Sequence, residues 1–112
     1  MTDRELLEAA AKAAGIEYDE YHSLGCYLSN WAMTPDGSRY WNPLTNDGDA
    51  FRLAMQLRMC IDAVQGADTI QYFHSGLAQV LHSEIDITAD DYQAAARHAI
   101  VRAAAEIGKA MP

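Results

Sequence analysis

The sequence predicts an α+β fold: a small antiparallel sheet of three or four strands packed with three helices. Three observations carry this. Apolar residues recur at helical spacing near both ends of the chain and again from Ala50. Three short β-prone segments follow one another between residues 58 and 85, separated by turn residues. Helices and strands are segregated rather than alternating, which favours α+β over a parallel α/β sheet. The 112 residues make one domain, 1–112, large enough to bury a modest core.

The first helix is predicted over residues 3–14. Thr2 and Glu5 have capping-box spacing, Leu6, Leu7, Ala10, Ala11 and Ala14 form an apolar stripe, and Gly15 suits a left-handed stop. Residues 16–41 alternate weakly and hold Tyr18, Tyr21, Tyr27, Tyr40 and both tryptophans. They read as a long ordered loop, with a short strand on each side of the Pro35-Asp36-Gly37 turn. A second helix starts near Asp47 or Asp49, either of which can cap it. Ala50, Leu53, Ala54 and Leu57 form its apolar face, which Phe51 and Met55 widen.

The segments 58–64, 68–74 and 76–85 read as an antiparallel meander, with Gln65-Gly66-Ala67-Asp68 and Ser75-Gly76 as hairpin connections. In the first, Met59, Ile61 and Ala63 share one face. The last helix follows a Thr88–Asp91 capping pattern. Its stripe runs through Tyr92, Ala96, Ala99, Ile100, Ala103 and Ile107, Arg102 and Glu106 can pair, and Gly108 ends it. Alanine enrichment in both terminal helices suits close packing; it also leaves a homo-oligomer open.

Composition narrows the function classes. The formal charge of −8, with only eight Lys and Arg, argues against binding the phosphate backbone of duplex nucleic acid. No apolar run is long enough to span a bilayer, so no membrane partner is expected. The N-terminus lacks the basic-then-apolar pattern of a secretory signal. Cys26 and Cys60 stand 34 positions apart without ligand spacing and read as two free thiols of a cytosolic chain.

The segment Asn46-Asp47-Gly48-Asp49 resembles a calcium loop, and the register refutes it. With Gly48 in the sixth position, Pro43 falls in the first and Ala54 where the bidentate glutamate is required. Helix capping explains the same residues: Asn and Asp accept from orphan N–H groups and suit the positive end of the helix dipole. His22, His74, His82 and His98 are scattered, although His74 and His82 could face each other across a hairpin. His22 and Cys26 could form a thiolate–imidazole couple but lack a positioned third group. No phosphate-binding glycine loop or nucleophile elbow occurs. No catalytic residue, metal or cofactor is expected. The candidate binding residues are Trp31, Arg39, Tyr40, Trp41, Asn42, Asp47, Asp49 and Arg52: aromatic faces with polar handles beside a helix start. The same aromatics can equally close a core over a small sheet.

Two blocks, Trp41–Leu57 (WNPLTNDGDAFRLAMQL) and Ala95–Gly108 (AARHAIVRAAAEIG), resemble the phage ABA sandwich family, small proteins encoded by phages and prophages. The related form has Asp where Asn46 stands and Leu where Phe51 stands. The resemblance implies a layered α/β arrangement, a phage origin and the host cytoplasm. It implies no activity, because the family is one of unknown function.

Together these readings lead to a non-enzymatic viral interaction protein as the first expectation. Its partner would be a host defence protein, or a signalling nucleotide stacked on the aromatics with Arg39, Arg52 or Arg58 meeting phosphate. One alternative is a small enzyme acting on a nucleotide, with His74 or His82 working beside Asp62 or Glu84. The other is a structural or regulatory phage protein with no defence role.

Overall fold

The computed structural model describes residues 2–63, 67–74 and 76–112. Among them the order is α1 (Asp3–Ala14), β1 (Tyr18–His22), β2 (Gly25–Leu28), β3 (Tyr40–Trp41), α2 (Asp47–Gln56), β4 (Cys60–Asp62), β5 (Thr69–His74), β6 (Gln79–Glu84) and α3 (Tyr92–Ala110). The fold is α+β, with three helices and two three-stranded antiparallel sheets, β1-β2-β3 and β4-β5-β6. The second sheet is the expected meander. Of its expected connections, Gln65, Gly66 and Ser75 lie outside the described residues. The first sheet was read mainly as loop, because its strands are short and their burial does not alternate cleanly.

Helix α1 forms as its sequence requires. Thr2 Oγ1 accepts from the Glu5 N–H, the Glu5 carboxylate accepts from the Thr2 N–H, and Gly15 stops the helix at φ 69°. The other two helix starts differ from expectation. Asn46, not Asp47 or Asp49, caps α2 by accepting from the Asp49 N–H at 2.8 Å. Asp91, not Thr88, caps α3 by accepting from the Ala94 N–H; Thr88 instead closes a local turn with Asp86.

Helix α3 is the centre of the molecule. It packs against α1, α2 and both β5 and β6, while β2 brings the first sheet to α1. The alanines serve this packing: Ala10, Ala11, Ala99, Ala103, Ala104 and Ala105 are completely buried. Gly108 lies inside α3 and does not end it. It lies directly against the Ala9 carbonyl, where a side chain would have no room. Arg102 donates to the Glu84 carbonyl rather than pairing with Glu106, which binds Lys109 instead. Phe51 and Met55, read as widening the apolar face of α2, stay 59 % and 46 % exposed. No helix among the described residues is long and apolar enough to cross a membrane.

His98 on α3 is partly buried. That burial, with Arg102 nearby, lowers its pKa below the ordinary 6.5. Folding therefore favours the neutral imidazole. The resulting stability is complete above the unfolded pKa and is lost as pH falls through the folded one. His98→Gln should narrow the fall in melting temperature between about pH 7 and pH 5. An unchanged fall in thermal melts would refute this.

Candidate functional site

The Trp41–Arg52 segment is built as a clasp. Trp41 pairs with Cys26 at the β2–β3 edge and is buried, as are Asn42 and Pro43. The Asn42 side chain donates to the Leu24 carbonyl and accepts from the Leu44 N–H. Asp49, 2 % exposed, accepts from the Asn42 N–H at 3.0 Å and from Arg52 at 2.8 Å. Arg52 also reaches Asp36 at 3.1 Å, and these contacts hold its guanidinium firmly protonated. Asp47 binds Arg97 of α3 at 2.5 Å, and Arg97 donates to the Leu44 carbonyl as well. Gly25, at φ 126°, faces the Trp41 carbonyl, where a Cβ would lie 2.6 Å from the oxygen.

Asp49 therefore joins the end of β3 to the start of α2. Removing its carboxylate strands the buried Asn42 N–H, which costs about 1–3 kcal/mol, and also ends a charge-assisted bond to Arg52. Asp49→Ala should lower unfolding free energy by about 2 kcal/mol in a urea titration. A loss within measurement error would mean that the clasp contributes nothing.

A second group of the candidate residues forms a ribbon across one face of the first sheet. The Arg39 guanidinium lies 4.7 Å from the Tyr27 ring centroid and 5.3 Å from that of Trp31. Tyr27 opposes Tyr40 across the strands, with centroids 5.4 Å apart and edge-to-face. Tyr40 in turn meets His22 at 5.6 Å. Arg39 is anchored by donating to the Leu28 carbonyl at 2.7 Å. At the end of this ribbon Trp31 is 85 % exposed, with φ 61°, next to Asn30 at φ 57°. A bulky aromatic residue in the left-handed region is a costly conformation.

Beside Trp31 lies a groove of about 430 Å³. It runs between the end of α1, the end of β2, the 30–35 loop and α2. Trp41, Leu28 and Leu53 are part of its apolar lining, and Asp49, Arg52 and Gln56 are part of its polar lining. Three of its polar side chains are engaged within the chain: Gln56 donates to the Ala14 carbonyl, Thr34 accepts from the Ser38 N–H, and Ser29 donates to Asp19.

The candidate residues thus divide in two. Trp41, Asn42, Asp47 and Asp49 belong to the clasp, with Arg52 on its groove side. Trp31, Arg39 and Tyr40 belong to the ribbon. The sequence reading missed Tyr27 as their link and did not anticipate Leu28, Gln56 or Met33 beside the groove. Only the β2–β3 register brings Tyr27 beside Tyr40, and strands this short carry little periodic signal.

The remaining chemistry is sparse. His74 pairs with Gln79 and His82 with Gln71, so the two histidines lie on opposite faces of the sheet rather than facing each other. Burial pushes the Cys26 thiol up to about 11, which opposes thiolate chemistry, and His22 turns to Glu20 instead. Among the described residues no group of three His, Cys, Asp or Glu side chains could hold a metal ion. Seven of the eight Lys and Arg donate within the chain: Arg4, Lys12, Arg39, Arg52, Arg97, Arg102 and Lys109. No family model matches this chain, no curated protein matches it, and no solved structure matches it.

Proposed function

We propose that this is a phage-encoded, non-enzymatic interaction protein that acts in the host cytoplasm by binding and inhibiting a host antiviral effector. One observation carries the reading. Trp31 is presented almost fully to solvent, in a costly backbone conformation, at the end of a braced aromatic–guanidinium ribbon. Exposed tryptophan and arginine are the side chains that most often dominate protein–protein affinity. The phage origin rests on the resemblance of the Trp41–Leu57 and Ala95–Gly108 blocks. Those blocks form the clasp and the central helix, so the resemblance bears on fold more than on target.

Sequestration of a signalling nucleotide is the weaker version. The ribbon can stack a base, but Arg39 and Arg52 are already bound within the chain. A phosphate at Arg52 would have to displace two carboxylates, and the Arg39 nitrogen that has no partner, Nε, is buried. The charge of −8 suits a basic protein surface better.

The test is affinity purification from infected cells with wild type and Trp31→Ala, followed by reconstitution with the captured protein. The expected result is a stoichiometric complex that silences the captured effector and is lost in the variant. Recovery of an intact nucleotide on heating would favour sequestration, and turnover beyond one equivalent would favour an enzyme. A complex insensitive to Trp31→Ala would sink the proposal as stated.

A further inference from the structure

We propose that the groove beside Trp31 is an anchor pocket for one bulky apolar side chain of the partner, a leucine or phenylalanine flanked by Lys or Arg. The inference rests on the interaction reading above and adds the chemistry of the partner segment. Size is the first argument. A volume of about 430 Å³ lies toward the small end of ligand pockets, room for a large side chain and its neighbours.

The lining supplies the second argument. Its buried carboxylate, Asp49, is saturated by Asn42 and Arg52, and the buried Thr34 hydroxyl already accepts from Ser38. Each of these two buried polar side chains already has a partner within the chain. What the groove offers is apolar surface from Trp41, Leu28 and Leu53, continuous with the exposed Met33 on the loop beside Trp31. An apolar occupant gains from that surface without leaving a polar group stranded.

Charge around the groove supplies the third. Its lining carries two carboxylates, Glu17 and Asp49, against one cation, Arg52, which already binds Asp49 and Asp36, and Asp19 is held by Ser29 of the lining. The excess of carboxylates selects basic residues beside the anchor and repels acidic ones. The same excess disfavours a phosphorylated ligand.

The test uses the full chain, isotopically labelled, and three capped tripeptides: Arg-Leu-Arg, Arg-Ala-Arg and Glu-Leu-Glu. With Arg-Leu-Arg, NMR shift changes are expected at the Trp41 indole and at the Thr34 and Leu53 amides. The other two probes should bind about tenfold more weakly, because one lacks most of the apolar surface and the other meets like charge. Ala32→Phe, at the mouth of the groove, should abolish the shifts; Met33→Ala serves as a second variant if the first is misfolded. Equal binding of all three probes, or no shift with Arg-Leu-Arg, overturns the inference. If a captured partner still depends on Trp31 while the tripeptides miss the groove, the pocket is wrong and the interaction reading stands. If the tripeptides bind as expected but no partner depends on Trp31, the reverse holds.

Discussion

Gly108→Ala should destabilise the protein by about 2 kcal/mol, although the substitution adds a better helix former. Two effects oppose each other at this position. Within α3, alanine in place of glycine gains about 1 kcal/mol of intrinsic propensity. Against it stands the α1 backbone. A Cβ at 108 would overlap the Ala9 carbonyl oxygen and come within 2.8 Å of the Ala9 carbonyl carbon. Neither atom belongs to a side chain that can swing away. The helices must separate, and the completely buried Ala10, Ala11, Ala104 and Ala105 lose contact with them. Steric cost at the upper end of the small-to-large range outweighs the propensity gain. For a domain of this size the loss corresponds to a melting temperature lower by roughly 7–10 °C. Calorimetry decides it: a variant that melts at or above the wild-type temperature would show that α1 and α3 do not approach so closely.

Gly108 also marks where reading the sequence alone stops. A glycine near the end of an apolar stripe is the usual sign of a helix terminus. Here the helix continues to Ala110 because the glycine answers to a neighbouring helix rather than to its own end. Local signals were most legible at α1. The Thr2–Glu5 box, the Gly15 stop and the core stripe of α1 all follow from residues within one helical turn of each other. The β4-β5-β6 meander was legible from its β-prone segments and turns. Phe51 and Met55 widen the apolar face of α2 in sequence but not its packing, because the face that packs is the one carrying Ala50, Leu53 and Ala54. The Asn46–Asp49 segment was read correctly as a capping region. That Asp49 is buried, and binds a backbone N–H seven residues upstream, depends on tertiary placement that no local pattern encodes. The ribbon was half legible: its aromatics were visible as a class, but their order across the sheet follows from register.

The two tryptophans should respond to alanine substitution in opposite ways. Trp41 is buried in the clasp and forms part of the groove lining. Trp41→Ala removes a large aromatic from the core and leaves a cavity, which costs about 3–5 kcal/mol. Much of the marginal stability of a small domain is of that size, so chemical denaturation should show a sharply lowered midpoint. Trp31 is 85 % exposed, with the Arg39 guanidinium against its ring. Trp31→Ala should leave stability within about 0.5 kcal/mol, as surface changes do. Its effect should appear in binding instead. A central tryptophan anchor is worth about 2–4 kcal/mol, a roughly 30- to 1,000-fold weaker complex, carried mostly by faster dissociation. The pair separates the two uses of aromatic residues that composition alone leaves merged. If Trp31→Ala unfolds the protein as Trp41→Ala does, the ribbon is part of the core. If Trp31→Ala keeps both the fold and full affinity for the captured effector, the partner docks on another face.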